Sequence, residues 1–550
     1  MKITLLISTF NSISQSYYTI LKDKGYSIDI VYAINDTQMI NEIDEFKPDI
    51  ILCPYLKKFV PKEIYNIYDT YILHPGIIGD KGAYSIDNAL RESKKQWGVV
   101  ILRANDSFDG GDIYASVDFN LRDTTKASIY RNETKIASIK ALEILLNNIK
   151  HNNFKPITQP NTPMHLQLTQ KHRSINWQED TSKAIVKKIN YSDSFPGVLD
   201  EILGVKCYLY GAWIEEKLKA NKSKEILAKR DGAICISTID GSIWISHLKE
   251  VNRFKLPATY TLKDKLAGIK EYRLPLIFDK SYKTFYEITV DIKDEVGYLH
   301  FNFHNGAFRA EQCIRLKYAF LYLKEQVKVI VLMGGDDFFS NGINLNILED
   351  SKKSGEDGWS NINAINDLVK SIIFAPEVIT VASIKKNAGA GGVFLALACD
   401  KVISSNTTIL NPHYKSLGLS GSEYHTYSLY KRVSNDIANS LLDDCLPISS
   451  KKAKDINMID EVFNIDTYDK DLEQYCLKLL EDEDSYDEFL WNKEDYLEEQ
   501  EEFINSCKDK ELKVMYDEFW NKNSIFHTLR YEFVYKLCPI QTPKRLKYKG

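Results

Sequence analysis

The 550-residue chain has no apolar run approaching the roughly 18 residues a membrane-spanning helix needs, so nothing in it is expected to cross a bilayer. It has no excess of either charge. Its 71 lysines and arginines stand against 76 aspartates and glutamates, a net charge of −5, which disfavours a basic nucleic-acid binder. It has no Cys-x-x-Cys pair. Its nine cysteines are scattered and odd in number, so neither a disulfide framework nor a zinc ribbon fits, while reduced thiols of a cytoplasmic protein do. The apolar run at Met1–Ile7 is too short for a signal-peptide core and reads as a first buried strand. There is no internal repeat or low-complexity linker, and no metal site is expected.

What remains is an ordinary globular composition, 44% apolar and 27% charged, long enough for several cores. The first 150 residues or so alternate short apolar strands (Lys2–Ile7, Ser27–Ala33, Ile50–Cys53, Tyr71–Leu73, Trp97–Arg103) with helical patterns (Ser12–Lys24, Thr37–Phe46, Ser128–Ile149). This βαβ rhythm predicts a parallel sheet covered by helices. The proline-bearing stretch His151–Pro163 reads as a connector. From about 165 to 275, short strands split by Asp231-Gly232 and Asp240-Gly241 predict a small β-rich domain, because Asp-Gly favours hairpin turns. A second α/β region follows to about 465. The last 85 residues or so are helical, tyrosine-rich and acidic, and the charge of Glu481–Glu502 reads as a solvated face. The fold class is therefore α/β multidomain. The expected domains are 1–155, 156–275, 276–465 and a helical C-terminal tail, 466–550.

Two constellations carry chemistry. Ile72-Leu73-His74-Pro75-Gly76 closes a strand, and Asp109-Gly110-Gly111-Asp112-Ile113 follows another. Catalytic groups of open α/β sheets sit at strand carboxyl ends, and a histidine beside a carboxylate there can shuttle a proton. On spacing alone, both residues also suit glycine-rich turns. The wider pattern resembles the folate-dependent formyltransferases, such as the glycinamide ribonucleotide and methionyl-tRNA enzymes. The matches are His74-Pro75-Gly76, Gly98-Val99-Val100 and Asp109-Gly110-Gly111-Asp112-Ile113; then Arg173-Ser174-Ile175-Asn176-Trp177 and Phe195-Pro196-Gly197 match the start of the β-barrel domain of methionyl-tRNA formyltransferase. The resemblance covers about residues 1–250. It implies a Rossmann-like domain and a small β-barrel domain, with His74 and Asp109 catalytic, and Ile72, Gly98 and Val99 at an N10-formyl-tetrahydrofolate site. The family's carbonyl-polarising asparagine falls on Ile72, which points to an acceptor other than an amine.

The second constellation is Phe339-Ser340-Asn341-Gly342-Ile343-Asn344-Leu345 and the run from Ala388 to Asp400, with Gly389, Gly391 and Gly392 ahead of an apolar helix. Small residues before a helix leave backbone N–H groups free to hold an oxyanion, and they also serve plain tight packing. Together the segments resemble the crotonase (enoyl-CoA hydratase/isomerase) superfamily over about 285–465. That resemblance implies acyl-CoA binding, with an oxyanion hole at Ile343 and Gly391 flanked by Gly342 and Gly392. The two hydratase glutamates fall near Phe394 and Tyr414, so no enoyl-CoA hydration is expected. Tyr414 and Glu423 are the expected catalytic groups instead.

A formyl-folate half fused to a CoA-thioester half, with His74-Pro75-Gly76-Ile77-Ile78-Gly79-Asp80, Ser128-Ile129-Tyr130-Arg131, His413-Tyr414-Lys415 and Gly421-Ser422-Glu423-Tyr424, resembles the HypX/HoxX family of NiFe-hydrogenase maturation factors along the whole chain. That family implies a formyltransferase coupled to a formyl-CoA decarbonylase. Formyl would pass from the folate to coenzyme A, and the product would release carbon monoxide for the metal centre. Coenzyme A phosphates would meet Arg131 or the terminal Lys544, Arg545 and Lys547. The implied partners are these small molecules and hydrogenase accessory proteins, with no nucleic acid or membrane. A formyl-folate hydrolase releasing formate and a non-catalytic CoA-binding scaffold are the alternatives.

Overall fold

In the computed structural model, which describes residues 1–151 and 154–549, the early alternation folds as β1 (Lys2–Ile7), β2 (Ser27–Tyr32) and β3 (Ile50–Cys53), with helices Ser12–Asp23 and Asp36–Phe46 between them. Asn11 and Asn35 start those helices by accepting the N–H groups of Ser14 and Gln38. β3 is buried at every residue, as a strand covered on both faces must be. β4 (Asp69–His74), β5 (Gln96–Arg103) and β6 (Ile113–Asn120) complete a six-stranded sheet of order β2-β1-β3-β4-β5-β6.

The pairing is parallel only as far as β4. β5 runs antiparallel to β4, and β6 antiparallel to β5. The parallel sheet expected from the βαβ rhythm is corrected to a mixed one. β6 had escaped the sequence reading because its outer residues are polar. The expected helix Ser128–Ile149 is also interrupted: Lys126–Ile129 and Lys135–Asn148 are α-helical, and Tyr130–Thr134 is a π-turn. Such turns break the regular ladder and recur at functional positions.

The β-rich region forms β7 (Val198–Ile202), β8 (Val205–Glu215), β9 (Ile226–Arg230), β10 (Ala233–Ser237), β11 (Ser242–Glu250) and β12 (Lys255–Pro257). All pair antiparallel in the order β7-β8-β11-β10-β9, with β12 beside β11. Among the described residues no pairing joins β9 to β7, so the barrel is partly open. Asp231 and Gly232 both take positive φ (52° and 90°), the turn their sequence demands. Residues Met1–Leu274, Asp279–Phe285 and the segment from Cys538 onward form one compact unit. The terminal segment is tied in by Lys547, which pairs with Asp29 and Glu42, and by the Tyr548 N–H, 2.8 Å from Asp29 Oδ1.

The second unit comprises Pro275–Phe278 and Tyr286–Leu537. β13 (Ile288–Lys293) and β14 (Val296–Phe301) form an antiparallel hairpin. β15 (Val329–Gly334), β16 (Ile379–Ile384), β18 (Lys401–Ser405) and β21 (Glu461–Phe463) extend it in parallel, in the order β13-β14-β15-β16-β18-β21. A small sheet pairs β17 (Ala388–Gly389), β19 (Ile409–Asn411) and β20 (Ile448–Ser449). Helix Tyr468–Lys478 buries Tyr468, Leu472 and Cys476 against Val331 and Val381 of the main sheet. The stretch 466–550, set apart in the sequence as an extension, is thus divided: its helices up to Leu537 belong to this unit, and the chain beyond belongs to the first. All nine cysteines are free, eight of them buried. Among the described residues no helix is long and apolar enough to cross a membrane, and no His/Cys/Asp/Glu group could hold a metal.

Candidate active sites

In the first unit, His74 ends β4 and is only 5% exposed. Its Nε2 lies 2.6 Å from Asp80 Oδ2, and its Nδ1 lies 3.5 Å from Asp109 Oδ2. The sequence pointed to Asp109 as the carboxylate orienting His74, yet the tight partner is Asp80. Burial pushes the Asp80 carboxyl up, but the hydrogen bond and charge of His74 outweigh it and hold it below its usual range. An ionised Asp80 fixes the proton on Nε2 and leaves Nδ1, facing Asp109, as the basic nitrogen. Asp109 sits at φ 49° and accepts the Gly82 N–H at 3.0 Å, so it also pins the loop after His74. Gly76 is required here, since a Cβ would overlap both the Asp80 carboxylate and the His74 ring.

Ile72 and Asp109 line one pocket with Phe59, Val60, Leu102 and Gly110. Gly98 and Val99 do not reach it. Val99 is fully buried in β5, and a Cβ on Gly98 would lie 2.5 Å from Asp118 Oδ1 of β6, so Gly98 serves strand packing. Arg131 lies in the π-turn, where its charge acts on Lys255, which is paired with Asp193. Lys547 is engaged by Asp29 and Glu42.

The connector and the residues just after it hold side chains that sequence reasoning missed. Gln159 accepts the Gly79 N–H at 3.0 Å and donates to the Asp80 and Asp109 carbonyls at 3.2 and 3.3 Å. Thr162 donates to the Gly79 carbonyl, and His165 meets the second oxygen of Asp80. This segment straps the loop that follows His74. The available signal was His165, a lone histidine in a polar stretch just downstream of three prolines.

In the second unit, Ile343 follows β15 in a loop, and Gly391 opens the helix Gly391–Leu397. Among the described residues neither N–H has an acceptor within the protein. The two strands of chain are close, because a Cβ on Gly342 (φ 71°) would lie 3.1 Å from the Gly391 N, and one on Gly392 would overlap the Ser340 carbonyl. Ala390, just before Gly391, takes φ 46° and ψ −131°, a conformation that strains any residue with a side chain.

Against Gly391 stands Glu423, 1% exposed, whose carboxylate would overlap any Cβ at that glycine. Glu423 Oε2 accepts the Tyr414 hydroxyl at 2.7 Å and the Ser422 hydroxyl at 2.9 Å. Burial is the largest influence and lifts the Glu423 carboxyl above its usual range; burial and then the Glu423 charge drive the Tyr414 phenol well up. Tyr414 stacks on Phe394 at 5.1 Å, with His425 edge-on to both rings. The two positions given to hydratase glutamates are therefore filled by a ring stack, and one carboxylate approaches from elsewhere. The structure thus brings Gly342, Gly391, Glu423 and Tyr414 together, with the Gly342 N–H taken up by Ser340 Oγ at 3.1 Å.

The chain matches three family models: formyl transferase over residues 32–143, formyl transferase C-terminal domain over 167–265, and enoyl-CoA hydratase/isomerase over 292–521. It is 32% identical over 99% of its length, and 96% of the relative's, to the hydrogenase maturation factor HoxX of Bradyrhizobium diazoefficiens. It is 23% identical over 42% of its length to a methionyl-tRNA formyltransferase of Pseudothermotoga lettingae, covering 76% of that protein. The crystal structure of HypX from Aquifex aeolicus in complex with tetrahydrofolic acid superposes with a TM-score of 0.97 at 38% identity, covering 100% of this chain and 98% of that one.

Proposed function

This chain belongs to the HypX/HoxX family of hydrogenase maturation factors, and from that premise we propose that it is a cytoplasmic enzyme making carbon monoxide for a NiFe-hydrogenase in two coupled steps. In the first unit the formyl group passes from N10-formyl-tetrahydrofolate to the thiol of coenzyme A. The folate N–C bond breaks, a C–S bond forms, and the thiol proton ends on the folate nitrogen. His74 takes that proton on Nδ1, while Asp80 and Asp109 stabilise the imidazolium from either side. A thiol is a strong nucleophile once ionised, which suits a site where Ile72 replaces the polarising amide. The apolar wall of Phe59, Val60, Ile72 and Leu102 suits a flat folate ring, and exposed Lys57 and Lys58 beside it suit the carboxylates of its tail. Tetrahydrofolic acid in the Aquifex relative supports that assignment. Arg131 is the candidate cation for a coenzyme A phosphate.

In the second unit formyl-CoA loses carbon monoxide. Its C–H and C–S bonds break, an S–H bond forms, and CO leaves, with no oxidant or reductant needed. The N–H groups of Ile343 and Gly391 hold the formyl oxygen. Glu423 removes the formyl proton and, with Tyr414, returns it to the sulfur. The observation that carries this reading is the buried Glu423–Tyr414 pair set against Gly391, where a hydratase pair of carboxylates is absent.

The test is to incubate the protein with formyl-tetrahydrofolate and coenzyme A and follow the Soret shift of ferrous myoglobin. CO above a no-enzyme control is expected. Tetrahydrofolate and formate without CO would make the protein a hydrolase; no turnover of either would leave a binding scaffold for hydrogenase accessory proteins.

A further inference from the structure

Two of the holds on the loop that presents Glu423 come from the acidic helix Glu483–Trp520. Glu511 Oε1 accepts the Thr426 N–H at 2.8 Å and the Thr426 hydroxyl at 2.5 Å, and lies 3.3 Å from His425 Nδ1. Glu518 Oε2 accepts the Ser420 N–H at 3.0 Å and the Ser420 hydroxyl at 3.2 Å. The two glutamates are seven residues apart, hence on one face of the helix. Their targets flank Glu423, three residues before it and three after. Between the clamps, Glu423 and Tyr424 both take positive φ (59° and 55°), a conformation side chains resist unless their surroundings fix it. Helix Ser354–Ile373 adds a third hold, the Asn366 amide oxygen 3.1 Å from the Glu423 N–H.

We propose that Glu511 and Glu518 are positioning residues of the second site, clamping residues 420–426 so that the Glu423 carboxylate stays against Gly391 and Tyr414. This rests on the decarbonylase reading and assigns the long C-terminal helix a part in it. Glu511 has a second effect. It is 4% exposed, its Oε2 has no hydrogen-bond partner among the described residues, and its charge acts on Glu423. The other titratable groups around Glu423 are Tyr414 and His425 beside it on the same loop region and Cys313 from helix Ala310–Lys324. After burial, Glu511 is the negative charge that helps hold the Glu423 carboxyl up, and a raised carboxyl is a stronger base.

The variants Glu511→Gln, Glu511→Ala and Glu518→Ala separate these roles. Gln keeps an acceptor for Thr426 but removes the charge. The acid limb of CO release, set by ionisation of Glu423, is then expected to move to lower pH with the melting temperature unchanged. The two alanine variants are expected to slow CO release from formyl-CoA by roughly tenfold to a hundredfold, with tetrahydrofolate release in the first step intact. Because CO release itself rests on the proposed chemistry, the protonation of Glu423 is also read directly. The infrared carbonyl band present in wild type and absent in Glu423→Gln should titrate at lower pH in Glu511→Gln. Alanine variants releasing CO at the wild-type rate overturn the clamp, and an unmoved band overturns the charge effect of Glu511; wild type releasing no CO while the band shifts as expected overturns the decarbonylase reading and leaves the influence of Glu511 on Glu423 standing.

Discussion

On the proposed chemistry the two candidate sites solve one problem, placing a carboxylate to manage a proton, in opposite ways. Asp80 is buried beside a histidine and held below the usual carboxylate range by it. Glu423 is buried beside the Tyr414 phenol and the Ser422 hydroxyl, and burial lifts it above that range. On that chemistry the first arrangement keeps an anion that orients a base. The second keeps a carboxyl ready to gain and lose a proton. In each, a glycine makes the room: Gly76 beside Asp80, Gly391 beside Glu423. The difference teaches that burial alone does not assign a role. The balance between burial and the partner's hydrogen bond and charge sets the direction, downward at Asp80 and upward at Glu423.

The sharpest way to break the comparison is to remove each proton carrier separately. On the proposed chemistry His74→Gln should slow release of tetrahydrofolate by about 10²- to 10⁴-fold and leave CO release from supplied formyl-CoA intact. Glu423→Gln should do the reverse by a similar factor, with Tyr414→Phe in the same direction. Loss of both steps in either variant would merge the two sites into one. The glycines come next. Gly391→Ala should push the Glu423 carboxylate aside and cost the second step roughly a hundredfold, and Gly76→Ala should do the same to the first. Single-turnover kinetics on each half-reaction decides.

Much of this was legible in the sequence, for physical reasons particular to each residue. His74 and Asp109 stand in glycine-bearing turns at strand ends, and the loops at Gly342 and Gly391 can only be built from small residues, so local pattern exposes them. Glu423 and Tyr414 follow from what is missing at the hydratase positions. Asp80 lay in a quoted motif without a role, because only the fold turns its carboxylate onto His74 Nε2. Gln159 was hidden in a connector whose prolines advertise a link rather than a strap, and His165 just beyond it. Glu511 and Glu518 could not be found by pattern at all. They belong to a 38-residue helix dense in acidic residues, and only tertiary contact selects these two. The turn of β5 and β6 to antiparallel likewise depends on long-range pairing that periodicity does not encode.

The opposite directions at Asp80 and Glu423 also separate the stability of the units with pH. Asp80 has a depressed folded pKa, so its contribution is present above the unfolded value, near 3.9 in model peptides, and is lost as pH falls through the folded one. Glu423 has a raised folded pKa, so its contribution is complete below the unfolded value and is lost as pH rises through the folded one. Asp80→Asn should therefore flatten the acid-side decline of the first unit, and Glu423→Gln the decline of the second unit toward higher pH. Hydrogen exchange followed unit by unit across pH checks both; identical profiles in wild type and variants would remove the contrast.

The smallest expected effect concerns Ile72, where the comparison can be sharpened without touching a proton carrier. Ile72 is half-buried at the pocket that also holds Asp109, and it pairs across β4 and β5 with Leu102. Ile72→Asn exchanges an apolar wall for an amide of similar reach, at a stability change of about 1 kcal/mol for a partly buried position. The new N–H can polarise the formyl carbonyl, which helps any acceptor, water and amines included. The wild-type isoleucine gives no such help, so on the proposed chemistry transfer depends on a strong nucleophile. The variant should therefore release a few-fold more formate per CO, while formyl-CoA handed directly to the second unit still yields CO at the wild-type rate. An unchanged formate-to-CO ratio would mean that access, rather than the chemistry of residue 72, selects the thiol.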